Sequence, residues 1–170
     1  MEGWIGYALM TVMCWGLYGV FLAEGAASMS DPAHGRIKAF LFVGVAYFLV
    51  AILAPAATLL ARGAAWTFPL SGAGMSLVAG VVGALGAFGV LLAYGAGGTP
   101  PVVMAIVFSG APVVNALVGV TRLGLWSEIR WQFVLGLFLA AAGGGLVTVY
   151  RPAPPNPHAP PPATTAPAAR

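Results

Sequence analysis

The chain has 170 residues, of which 60% are hydrophobic and only 6% charged, with a formal net charge of +3 and a mean hydropathy of +0.94. A water-soluble domain carries about 25% charged residues, so this composition excludes a soluble globular fold and marks the chain as a resident of lipid. The seven basic residues are scattered and form no patch for nucleic acid. The single cysteine, Cys14, excludes an internal disulfide framework and a cysteine-based metal site.

Five charge-free runs follow one another, at about residues 4–23, 39–60, 74–94, 102–120 and 133–150. Each is long enough to cross about 30 Å of hydrocarbon as a helix. None shows the two-residue alternation of a barrel strand, and lipid offers no partner for open backbone groups. The expected fold is therefore an all-α membrane domain of five transmembrane helices over residues 1–150. The first run lacks a basic residue before it and exceeds a typical signal-peptide core, so it reads as an uncleaved span.

In the first span Tyr7, Thr11, Trp15 and Tyr18 fall at spacings of four, four and three, and so share one helix face. Trp15 and Tyr18 lie too deep to be interface anchors, and their polar tips require partners away from lipid. The loop from Glu24 to Lys38 carries Asp31-Pro32 as a turn signal. Glu24, Asp31 and His34 in that loop lack metal-ligand spacing on a rigid element and read as a solvated loop, with no metal expected. The third span carries Gly80, Gly83, Gly86 and Gly89, and the fifth carries Gly136, Ala140 and Gly144. These nearly bare surfaces suit close helix–helix approach. Before the fourth span, Thr99 is placed to cap and Pro100 to occupy the first helical position.

The fourth span contains Pro112, whose ring removes an amide hydrogen and clashes with the carbonyl of Phe108, predicting a kink. Ser109 and Asn115 each lie three residues from Pro112 and place polar groups beside the break. A broken polar segment at mid-membrane is where transporters tend to hold substrate. Tyr7, Thr11, Trp15, Tyr18, Ser109, Pro112 and Asn115 are accordingly the candidate pathway residues. Trp4, Trp66, Trp126, Trp131 and Tyr150 fall near span ends, as an aromatic belt does. From Arg151 the composition turns to Pro, Ala and Thr, with eight prolines from Pro152 to Pro167. That composition predicts a disordered Pro-rich tail over 151–170.

Cys14-Trp15-Gly16 followed by Tyr18-Gly19-Val20-Phe21, the Pro112-Val113 break, and Leu135-Gly136 leading into Gly143-Gly144-Gly145-Leu146 resemble one repeat of the drug/metabolite transporter superfamily, EamA type. The resemblance covers about residues 4–150. It implies export or import of small metabolites along a pathway between two five-helix repeats of inverted orientation. It also places Trp15, Gly16 and Pro112 near that pathway. Two departures stand out: there is one repeat, making the chain half a transporter, and the family's acidic residue after the fourth span is matched only loosely by Glu128.

These features together predict a cell-membrane transporter subunit for a small uncharged or zwitterionic solute, with no cofactor. No nucleophile–base pair, metal cluster or phosphate loop points to an enzyme. The partners expected are the lipid bilayer, the solute, and either an antiparallel second copy or a separate half-size subunit. The alternative is a non-transporting assembly subunit or an anchor that presents the Pro-rich tail. Three basic residues on each side of the membrane, Arg62, Arg122 and Arg130 against Arg36, Lys38 and Arg151, give no orientation bias.

Overall fold

A computed structural model describes residues 3–152. The described chain is helical, with five helices long and apolar enough to cross a membrane: α1 (Gly3–Ser28), α2 (Gly35–Ala61), α3 (Leu70–Gly95), α4 (Pro100–Leu123) and α5 (Trp131–Val149). At about 1.5 Å per residue, even α5, with 19 residues, reaches about 28 Å. The helices extend past most of the charge-free runs. Glu24, expected beyond the first span, therefore lies within the last turns of α1, where it is exposed. Tail residues from 153 onward lie outside the described residues.

The connections follow from local chemistry. Asp31 organises the α1–α2 turn: its Oδ1 accepts the amides of Ala33 at 3.1 Å and His34 at 2.9 Å, and its Oδ2 accepts Lys38 Nζ at 2.6 Å. The Lys38 bond and these amides hold its carboxyl below the usual carboxylate range. The α3–α4 turn closes through Gly97, at φ +94°, a backbone that side chains rarely adopt. Thr99 does precede the first helical residue, Pro100, but its hydroxyl caps nothing. Its carbonyl takes the amides of Val102 and Val103 instead.

Antiparallel packing is visible in the core. Leu22 near the end of α1, Ala39 near the start of α2, Val90 and Leu91 near the end of α3, and Val103 and Met104 near the start of α4 form one cluster. Consecutive helices thus run in opposite directions, and the α1–α2 and α3–α4 turns share one end of the bundle. That end is packed. Every fully buried described residue lies in the half of its helix nearest to it, Gly144 of α5 included. The other end is open: Tyr7 is 72% exposed, Leu70 89%, Leu77 71% and Trp131 69%.

The small-residue surfaces divide accordingly. A Cβ at Gly144 would overlap Ser109 Oγ, lie 2.5 Å from Ser109 Cβ and sit 3.1 Å from the Ala105 carbonyl oxygen, so glycine is what lets α5 rest on α4. Around Gly80, Gly83, Gly86, Gly89 and Gly136 nothing lies within 4 Å of where a Cβ would stand. Among the described residues, the helix contact expected of the glycines of α3 is therefore not made.

Candidate functional site

The feature nearest mid-span lies between α1 and α2. A cavity of about 460 Å³ is lined by Cys14, Trp15 and Tyr18 from α1 and by Val43, Ala46, Tyr47 and Val50 from α2. Spacings of three and four put each set on one helix face. Trp15 stands twelve residues after Gly3 and thirteen before Ser28, and Tyr47 twelve after Gly35 and fourteen before Ala61. Both are therefore central in their helices. The volume falls in the range of about 300–1,000 Å³ typical of small-ligand sites.

Its walls are aromatic and uncharged. The rings of Trp15 and Tyr18 lie 5.6 Å apart with their planes at 51°, and Trp15 meets Phe108 of α4 edge-on at 6.3 Å. The phenols of Tyr47 and Tyr94 are within electrostatic reach of Tyr18. The hydroxyls of Tyr18 and Tyr94 are buried without a hydrogen-bond partner. A buried orphan hydroxyl costs about 1–3 kcal/mol, so a polar atom that reaches the covered Tyr18 hydroxyl as a neighbouring side chain shifts would relieve that penalty. No carboxylate, amine or imidazole lines the cavity, so its chemistry is shape, aromatic contact and single hydrogen bonds.

The floor of the cavity adjoins an irregular turn. Residues Leu49–Leu53 form a π-helical turn within α2, in which the Ala54 amide donates to the Leu49 carbonyl. Pro55 follows directly. Its ring clashes with the carbonyl four residues back, and widening the helix by one residue relieves that clash. Such turns are frequent at functional sites, and Val50 places this one against the cavity.

The candidate pathway residues separate into groups. Trp15 and Tyr18 line the cavity, and Phe108, whose carbonyl Pro112 leaves without an amide partner, is joined to them through the Trp15 ring. Tyr7 and Thr11 continue the same stripe toward the open end, where both are exposed and the Thr11 hydroxyl bonds back to the Tyr7 carbonyl at 3.0 Å. Ser109 turns toward α5: its hydroxyl donates to the Ile106 carbonyl at 3.1 Å and its side chain covers Gly144. Pro112 and Asn115 are exposed, and α4 keeps α-helical assignment through Pro112. Tyr47, Val43 and Val50 escaped the sequence reading. Their spacing of four and three around a mid-span tyrosine, with Pro55 beyond, was the available signal.

No protein-family model, curated protein or solved structure matches the chain.

Proposed function

We propose that the chain is a half-size, EamA-like transporter subunit of the cell membrane that moves a small, largely uncharged metabolite. The observation that carries this reading is the charge-free aromatic cavity midway along α1 and α2. Of uncharged and zwitterionic solutes, the cavity favours the uncharged, because it offers no opposite charge to offset desolvation of an ion. Its unpartnered Tyr18 hydroxyl supplies one directional contact.

The one-ended packing of the bundle supports completion by a second copy. A partner inserted in the opposite orientation sets its packed end beside the open end of the first. Inverted repeats that rock about a central site are the usual architecture of alternating access. The even charge balance across the membrane permits both orientations.

A thermal-shift screen of the purified protein against a metabolite library tests the site, since a ligand that binds the folded state stabilises it by mass action. The response to a hit should be lost in Tyr47→Ala and weakened in Tyr18→Phe, which removes only the orphan hydroxyl. Undiminished responses in both variants would place the ligand elsewhere and remove the basis of the reading.

A further inference from the structure

At the packed end, Arg36 stands at the first turn of α2 with no hydrogen bond or ion pair among the described residues. Its neighbours explain why. Asp31 already accepts two amides and the Lys38 ammonium, which uses three of the roughly four acceptor positions of a carboxylate. Three carbonyls in the last turn of α3 are engaged as well: Leu92, Ala93 and Tyr94 take the amides of Ala96, Gly97 and Gly98. Arg36 is exposed but lies against α3. Its Nε lies 3.1 Å from where a Cβ on Gly95 would stand, so the guanidinium lies across the C-terminus of α3, where a cation is favoured.

Arg36 lines two cavities. One, of about 440 Å³, includes Ser30, Asp31, Tyr94, Gly98 and Pro100 in its walls. The other, of about 370 Å³, lies over Leu91, Leu92 and Gly95. Both sit where α1, α2, α3 and α4 end, the depth at which the headgroup layer of a bilayer would meet a spanning bundle. The first is a mainly apolar cavity walled by Ala23, Ala26 and Ala27, whose one carboxylate, Asp31, is offset by Lys38. A guanidinium with unused donors beside it suits a phosphoryl group carried on an apolar body, since it can grip the oxygens with two parallel bonds.

We propose that Arg36 and the adjoining cavity form a phosphoryl-binding site, separate from the aromatic cavity, that seats the phosphodiester of a membrane lipid headgroup. The site acts as an interfacial clasp, tying the α1–α2 turn to the α3–α4 turn through the bound lipid. A soluble phosphate ester presents the same chemistry, and the two sources are separable by experiment.

The full chain in a non-phosphate detergent would be titrated with dihexanoyl phosphatidylglycerol, and separately with inorganic phosphate, while its melting is followed. The lipid should raise the melting temperature, and Arg36→Gln should require about tenfold more lipid for the same rise, the scale of losing a charge-assisted pair. Gly95→Ala keeps the charge but pushes the guanidinium aside. It should weaken the response too, and it carries the test if Arg36→Gln fails to fold. Arg151→Gln, a basic residue just past α5, should leave the titration within about twofold, the expectation for a screened surface charge. Inorganic phosphate acting with the same Arg36 dependence would support the site and assign its ligand to the aqueous phase. The absence of any response in the unaltered protein would overturn the proposal. So would equal losses in Arg36→Gln and Arg151→Gln, which describe diffuse attraction only.

Discussion

Gly144→Ala adds one methyl group at the point where α5 rests on α4. The new Cβ would collide with the Ser109 side chain and press on the Ala105 carbonyl oxygen at 3.1 Å. Ser109 can rotate away only by giving up its bond to the Ile106 carbonyl, and the Ala105 carbonyl belongs to helix backbone that moves only with α4. α5 packs chiefly on α4, so the strain is met by separating that pair. Overpacking of this kind costs about 1–3 kcal/mol, which Gly144→Ala should show in reversible unfolding by SDS in mixed micelles, followed by tryptophan fluorescence. Ser109→Gly in the same chain removes the colliding atoms, so the double variant should be more stable than the summed single losses by about 1 kcal/mol. Gly83→Ala is the control: nothing lies within 4 Å of its added methyl, and the gain in helix propensity is up to about 1 kcal/mol. A Gly144→Ala variant as stable as Gly83→Ala, or strict additivity in the cycle, would refute the packing described for α5.

Pro55→Ala removes the ring behind the wide turn at Leu49–Leu53, so α2 should close to a regular helix and turn Tyr47 and Val50 relative to Pro55's side of the helix. Ligand response in the thermal-shift assay should fall more than stability does, and an unchanged response would separate that turn from the site. The Asp31 carboxyl is held below its ordinary pKa of 3.8 chiefly by Lys38. Its contribution to the α1–α2 turn is therefore complete above that value and lost as pH falls through the lower folded-state pKa. Asp31→Asn should remove this acid-dependent step from amide-exchange protection at Ala33 and His34, and identical acid profiles in the two proteins would contradict the assignment.

The spans were legible because charge is excluded from hydrocarbon and bounds most of the runs, while the third and fourth, with no charge between Arg62 and Arg122, are divided by the glycines and prolines of Gly95–Pro101. The stripe on α1 was legible for the same periodic reason, and Trp15 and Tyr18 do face a cavity. Periodicity names a shared face, however, and says nothing about how far along it a neighbouring helix follows. Tyr7 and Thr11 share the face yet lie at the open end. Proline was read as a break at Pro112, where Ser109 and Asn115 suggested a polar site. The backbone stays helical through Pro112, and a π-helical turn precedes Pro55, which no polar neighbour in the sequence singles out. Glycine posed a similar ambiguity: Gly144 is covered by Ser109, while Gly83 has no neighbour, although both belong to small-residue surfaces. The Arg36–Gly95 contact joins two distant stretches of chain and depends on the closure of both turns, which no local pattern reports.

In the proposed assembly one chain is half of an inverted pair made from two copies. A dual reporter fused after Arg170, active as an enzyme on one side of the membrane and fluorescent on the other, tests it directly. Comparable signal from both sides is expected, because the basic residues balance across the five spans and leave insertion unbiased. Moving that balance by adding two lysines to the α2–α3 loop should then drive the signal to one side. Signal from one side alone in the unaltered chain would contradict the paired-copy account.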